Sequence, residues 1–449
     1  MIKKVKKKIL TDIHLFELIK GASISLIFQV FGIGIGYTFV FLLSKNYGAE
    51  GMGIFSLSFA VLNVFVLFGK FGLDTATVKL TSEYASKNNF EGIKDIYFKI
   101  LRVMVPINLI LTCLLFVIAP YLAEHIFHKE YLTKYFQIIS LGILPMSLRF
   151  LNANNLRAVK QITAYSFLQS IALYLIASIL LLLSIVLQYN SIDLVLYIVV
   201  FSLFIGMIIS FIFWFQKSQL IKIKKKEVVS LKRIFKISTP MLIASSIMLV
   251  MSWSDTIMLG MFRTESEVGI YNIAYKISTI VLLVFMAVST VSASKFASAY
   301  GQKDIEEFKK IAFKSTRLIV IFSLPIYLFI LIFHKYLLSL FGEEFVIGTW
   351  ALMFLVTGQF IKSVFGTLDY MLQMSNQQKS LMFYALISAL INIILNFVLI
   401  KKYGINGAAI ASMISIIIYQ FILFIKVKKE FGFYLWISPY KTFILGKIL

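Results

Sequence analysis

Displaced by 216 residues, the chain overlays on itself without a gap from Lys20 to about Lys99. The displacement matches Lys20 with Lys236, Gly53-Ile54 with Gly269-Ile270, Lys79 with Lys295, Ser82 with Ser298, Tyr84 with Tyr300, Lys87 with Lys303 and Lys94 with Lys310. Any fold for this chain has to build one unit twice. Both copies lie in strongly apolar sequence. That combination points to a membrane transporter of two homologous lobes, with its substrate path between them.

Of 449 residues, 59% are hydrophobic and only 14% charged, more apolar surface than a soluble core uses. Apolar stretches of about 20 residues recur, the length a helix needs to cross roughly 30 Å of hydrocarbon at 1.5 Å per residue. The fold class expected is therefore all-α integral membrane, with about twelve transmembrane helices in two six-helix lobes forming a parallel repeat. The spans predicted for the first lobe are 19–43, 52–73, 96–119, 133–156, 162–187 and 193–215. Those for the second are 238–260, 269–292, 311–333, 346–371, 381–400 and 404–426. The corresponding domains are an N-terminal lobe over 1–215, a basic cytoplasmic linker over 216–237, a C-terminal lobe over 238–429 and a tail over 430–449.

With the N-terminus taken as cytoplasmic, 33 of the 44 Lys and Arg fall in tails and connections on that side and 7 on the other. Both termini are then cytoplasmic. The formal charge of +23 is accordingly read as setting topology and touching anionic head groups, and no nucleic acid partner is expected. Cys113 is the sole cysteine, so no disulfide framework or thiol metal site is available. His125 and His128 are three apart but have no further ligand near in sequence, and neither metal nor cofactor is expected. The chain has no Walker-type loop, HExxH or Ser/His/Asp arrangement, so it is not read as an enzyme. The segment from Ala299 to Lys314 is amphipathic at helical spacing and predicts a short helix at the membrane surface. In the tail, Phe433, Leu435, Trp436, Pro439 and Tyr440 suit the interface.

Charge inside a span costs about 2.5–3.5 kcal/mol on insertion scales, which makes it the best pointer to function. Asp255 and Lys276 sit at similar depths in the seventh and eighth spans, where the first lobe carries Phe39 and Ala60. Two readings compete: a couple that exchanges partners during transport, with Asp255 in coupling or gating, or a salt bridge fixing two helices. Arg149 and Lys362 occupy nearly equivalent places in the fourth and tenth spans. Cations from each lobe at similar depth suit a cavity for an anionic head group, with Lys276 as a third member; the alternative is snorkelling to the interface. Lys70 and Asp74, four apart on one helix face, and Asn152 and Asp369 are secondary candidates. Gly32 and Gly36 form a GxxxG that reads as a packing seam or a hinge, and Pro145 and Pro325 are placed to kink their spans.

Two stretches, YGAEGMGIFSLSFAVLNVFVLFGKFGLDTATVKL from Tyr47 to Leu80 and SDTIMLGMFRTESEVGIYNIAYKI from Ser254 to Ile277, carry a resemblance to the polysaccharide flippase group. These are the Wzx-like O-antigen and capsule transporters, within the superfamily that also holds multidrug extruders and the lipid II flippase. The resemblance covers nearly the whole chain and implies a MATE-like fold. It implies movement of an undecaprenyl-diphosphate-linked oligosaccharide across the bacterial cytoplasmic (inner) membrane by alternating access. The implied partners are a polyprenyl-diphosphate-linked glycan, membrane lipids, and glycan polymerase and ligase machinery. Lipid II flippases of this superfamily usually have two further helices, for which this chain has no place. A cation-coupled multidrug exporter and a non-transporting scaffold for glycan assembly remain as alternatives.

Overall fold

The computed structural model describes residues 13–189, 191–218 and 229–435. The basic start from Met1 to Leu10, residues 219–228 of the linker and the tail residues Trp436, Pro439 and Tyr440 lie outside them. The described residues are helical almost throughout and include no strand. The first helix, α1 (Ile13–Lys70), holds 58 residues, about 87 Å at 1.5 Å per residue and nearly three times the hydrocarbon thickness. Gly48 divides it, with φ 66° and ψ −168°, a backbone state that penalises any residue bearing a Cβ. The rings of Phe39 and Phe55, on opposite sides of Gly48, meet edge-on at 5.3 Å. The element is therefore an antiparallel hairpin of two spans.

The chain continues through α2 (Leu73–Ala85), α3 (Phe90–Tyr121), α4 (Leu132–Ser140), α5 (Ile143–Ala158), α6 (Ile162–Ser170), α7 (Ala172–Val186) and α8 (Ile192–Ser218). Then follow α9 (Leu231–Phe262), α10 (Glu265–Ser278), α11 (Leu282–Gly301), α12 (Ile305–Ser339), α13 (Thr349–Phe365), α14 (Leu368–Met374) and α15 (Gln378–Phe431). The last is a second hairpin, broken at Gly404 (φ 58°). Across that break Ser388 Oγ donates to the Ser415 carbonyl at 3.0 Å and Asn392 Nδ2 to Ser412 Oγ at 3.4 Å. Among the described residues nine helical stretches are long and apolar enough to cross a membrane, and α6 with α7, bent by 46°, makes a tenth. Dividing α1 at Gly48 and α15 at Gly404 brings the number to twelve.

Local details differ from the sequence reading for identifiable reasons. The fourth span is interrupted between α4 and α5 at Leu141–Gly142. Pro145 lacks the N–H that would bond the Leu141 carbonyl, and its ring crowds that group. Pro325 leaves its helix intact, and the non-helical residue of α12 is Phe333 (φ −99°, ψ 15°). The amphipathic stretch expected as a separate surface helix is continuous with the ninth span, because Phe308 and Ala312 on its apolar face are fully buried. Phe433 and Leu435 likewise join a buried cluster with Phe308 and Phe424. Gly32 is a packing position: a Cβ there would lie 2.5 Å from the Ser170 carbonyl oxygen.

The chain packs as two compact units, 1–272 with 340–345, and 273–339 with 346–449. In the first, Tyr97 and Trp214 pack ring to ring at 5.3 Å in a core with Leu151, Leu168 and Ile100. Lipid offers no hydrophobic drive for helix association, so packing and interhelical hydrogen bonds carry it, the latter at about 0.6 kcal/mol each. Tyr97 Oη donates to Asn152 Oδ1 at 2.8 Å and Asn152 Nδ2 to Ser210 Oγ at 2.9 Å. Those bonds tie α3, α5 and α8. Thr77 and Thr81 of α2 both donate to Asn155 Oδ1, at 3.0 and 2.9 Å. The segment preceding α9 is also gripped: Lys99 Nζ donates to the Val229 carbonyl at 2.6 Å, and the Val229 N–H donates to Asp95 Oδ2 at 2.9 Å. In the second unit Phe296, Phe308, Leu368, Leu423 and Phe424 form the core. There α13 and α14 are separated at Gly366 (φ 69°), against Thr316 of α12.

Candidate functional site

In the first unit the end of α1, the start of α2 and the middle of α5 assemble a cationic shelf. Phe71 (φ 47°) and Gly72 (φ 69°) turn the chain sharply between α1 and α2, which brings Asp74 back beside Lys70. Lys70 Nζ lies 3.2 Å from Asp74 Oδ2, and Asn154 Nδ2 approaches the same oxygen at 3.5 Å. The Lys70 ammonium also stands over the Phe150 ring, 4.5 Å from its centroid. The Arg149 guanidinium stands over that ring too, at 4.9 Å. Two cations thus share one aromatic face system, each contact worth about 0.5–2 kcal/mol depending on desolvation.

Arg149 is 3% exposed. Its Nη1 donates to the Leu168 carbonyl close to the α6–α7 break, where helical carbonyls lose their usual partners. Gly206 on α8 makes room for it: a Cβ there would lie 3.2 Å from Arg149 Cδ. Arg149 Nε has no hydrogen-bond partner among the described residues. A buried guanidinium N–H of this kind is a ready donor for an anion, since Arg presents its donors as a planar fork. The structure therefore brings Lys70, Asp74 and Arg149 together and joins Asn154 and Phe150 to them. Asn152, on the next turn of α5, points elsewhere and spends both ends of its amide on Tyr97 and Ser210.

Asp255 is buried on α9 and accepts from Tyr271 Oη of α10 at 2.5 Å. One residue along, Thr256 Oγ1 and Asn272 Oδ1 are 3.3 Å apart. This second polar group sits in the hairpin formed by α9 and α10. The two hairpins of the first unit interlock at glycines. A Cβ on Gly53 would lie 1.8 Å from the Glu265 carbonyl oxygen, and one on Gly269 would lie 2.0 Å from that of Ala49. The displacement of 216 carries Gly53 to Gly269 and Ala49 to Glu265, so each contact is the other with the copies exchanged.

In the second unit Lys362, at the end of α13, stands over the Phe285 ring at 5.4 Å. Asp369 follows the Gly366 break, where its carboxylate meets the Tyr419 hydroxyl and feels the Lys362 charge. Lys276 lies half-buried on the part of α10 that belongs to this unit. Sequence reasoning named the charges but missed their partners Phe150 and Tyr271. Tyr271 was within reach, because it and Asp255 are the repeat equivalents of Phe55 and Phe39. Phe150 carried no signal beyond adjacency to Arg149.

Twelve apolar spans among the described residues, a duplicated hairpin and a buried arginine define an all-α integral membrane protein. Residues 18–292 match the family model described as "Polysaccharide biosynthesis protein", and residues 240–398 match the MatE model. The chain belongs to the polysaccharide biosynthesis protein family. It is 26% identical over 402 residues to a probable low-salt glycan biosynthesis flippase, Agl15, of Haloferax volcanii, covering 86% of this chain and 78% of that protein. Among solved structures it resembles an inward-facing multidrug resistance MATE family transporter of the MOP superfamily, with a TM-score of 0.71 at 14% identity, covering 92% of this chain and 98% of that one. It also resembles the lipid II flippase MurJ in an inward closed conformation, with a TM-score of 0.71 at 20% identity, covering 90% and 88%.

Proposed function

We propose that this protein is a flippase that moves a polyprenyl-diphosphate-linked oligosaccharide, on an undecaprenyl carrier, across the bacterial cytoplasmic membrane. The observation that carries the reading is the shelf of Lys70 and Arg149 over Phe150, with a free Arg149 N–H, in a chain of the polysaccharide biosynthesis family. A diphosphate needs paired cationic donors out of bulk water, which such a shelf supplies. Asp74 acts as the resident counter-ion that the head group displaces. Lys362 and Lys276 provide the matching cations of the second half, and Asp255 and Asp369 respond to the change in local charge. Both termini are cytoplasmic, and the halves 1–215 and 238–429, joined by a basic linker, expose the path to each side in turn. The lipid tail stays in the bilayer.

The test is deletion of the gene followed by mass spectrometry of lipid-linked oligosaccharides, with their sidedness probed in sealed vesicles. Accumulation of a cytoplasm-facing diphosphate-linked glycan is expected, relieved by the intact gene but not by Arg149→Ala with Lys362→Ala at equal membrane abundance. Full relief by that double variant overturns the cationic site. Robust efflux of organic cations, abolished by Asp255→Asn, favours a drug exporter instead.

A further inference from the structure

The reciprocal glycine contacts lie at the end of the hairpins where Gly48 and the α9–α10 turn reverse the chain. Each turn is gripped there by a connection from the opposite copy. The turn of the first copy is held by the segment between α12 and α13. Glu344 Oε1 accepts from the Ala49 N–H at 2.7 Å, and the Phe341 ring meets Phe41 at 6.2 Å. The turn of the second copy is held by the segment between α3 and α4. Lys129 Nζ donates to the Gly260 carbonyl at 3.0 Å and to the Arg263 carbonyl, and pairs with the Glu265 carboxylate at 2.9 Å. Both gripping segments join the third and fourth spans of their own copy. All of these residues belong to the first compact unit.

The chemistry of the two grips is opposite and complementary to what each turn offers. After Gly48 the turn presents the free N–H groups of a helix N-terminus, and an acid meets them. The α9 terminus presents free carbonyls, and an ammonium meets them, as the end charges of a helix favour. Glu265 at the start of α10 is 5% exposed, and beside it the Tyr131 hydroxyl has its pKa raised by burial and by that carboxylate.

We infer that Lys129 and Glu344 form a paired latch, which holds the two hairpins together at this end and has to open once in every transport cycle. The inference rests on the alternating-access part of the proposed function. Two grips of opposite sign, each reaching across the copies, cross-brace the glycine contact that neither copy makes by itself. Rocking of one copy against the other at this end separates Gly53 from Glu265 and Gly269 from Ala49 together. It therefore breaks both grips in one event.

The test uses the full-length protein in membrane vesicles, in a Cys113→Ser background. Ser56 is buried at 4% exposure and lies one turn beyond Gly53 on the same helix face, so Ser56→Cys reports separation of the hairpins. With the latch intact its reaction with a polar maleimide is slow. Lys129→Ala with Glu344→Gln is expected to speed it at least about tenfold, since hydrogen bonds to charged groups are lost on both sides. An unchanged labelling rate overturns the latch. In a second arm, Ala49→Cys with Glu344→Cys is joined by a short bis-methanethiosulfonate, which forms a disulfide with each thiol, releases methanesulfinate at each and is cleaved by a reducing agent. Glycan export is expected to stop on cross-linking and to return on reduction, which shows that the variant is folded. Undiminished export by fully cross-linked protein, or failure of the pair to cross-link, overturns it as well. Faster labelling with no glycan export by any form, wild type included, removes the flippase reading and leaves the latch standing.

Discussion

The hairpin of α1 and the hairpin of α9 with α10 are the same object built twice, yet their centres are chemically unlike. At one matched position the first has Phe39 against Phe55 at 5.3 Å, and the second has Asp255 bonded to Tyr271 at 2.5 Å. Next to it, Val40 and Ser56 in the first copy correspond to Thr256 and Asn272 in the second, which lie 3.3 Å apart. Edge-on aromatic packing in the first copy adds about 0.5–1.5 kcal/mol beyond area burial. A buried carboxylate is costly to keep in such surroundings and serves stability poorly. The scaffold contact at Gly53 and Gly269 stayed alike in both copies while the centre of one became polar. Within a retained contact, the polar centre is thus a feature of the second copy alone.

Converting the second centre into the first breaks this comparison most severely. Asp255→Phe with Tyr271→Phe is expected to give a protein that inserts and melts no lower than wild type, yet exports glycan only at background. Vesicle export with a thermal melt in detergent checks both halves, and retained export would make the polar centre architectural. Next in size is the interlock. Gly53→Ala and Gly269→Ala each place a methyl against backbone and are expected to cost about 3 kcal/mol. The two losses should be similar because the contacts are reciprocal, and a large inequality in denaturation would end the claim of symmetry.

Tyr271→Phe alone is expected to cost about 1.5 kcal/mol, the scale of a hydrogen bond to a charged group, whereas the matched Phe55→Leu tests only packing. The smallest effect lies at the opposite end of the hairpins. There Arg233 at the start of α9 holds Glu83 of α2, with Nη2 at 2.8 and 3.0 Å from its two oxygens. Arg233 holds the Glu83 carboxyl below its ordinary value of 4.5. The contribution is therefore present above that pH and lost as pH falls through the depressed value. Glu83→Gln should lower the melting temperature slightly at pH 7, since an exposed pair is weak, and by progressively less as the pH falls below 4.5.

The spans and the duplication were legible in the sequence, because apolar length and repetition are properties of the chain read in order. The charges were legible for the same reason: Arg149, Asp255 and Lys362 stand out against apolar neighbours. Their surroundings were not. Phe150 serves two cations only because Phe71 and Gly72 fold α2 back, and no periodicity reports a turn of that kind. Asn152, a secondary site candidate in the sequence, bonds across to α3 and α8, spans far away in sequence. Lys129 and Glu344 carry no signal in the sequence, and only three-dimensional proximity sets them on the turns of the opposite copy.

The grip on Val229 has a practical corollary. Asp95 and Lys99 take hold of both the N–H and the carbonyl of one peptide residue, so the start of the second half is registered against α3 without relying on the covalent thread that precedes it. A gene split between residues 219 and 228 and expressed as two pieces should consequently reassemble in the bilayer, the newcomer finding its seat by that two-pronged clamp.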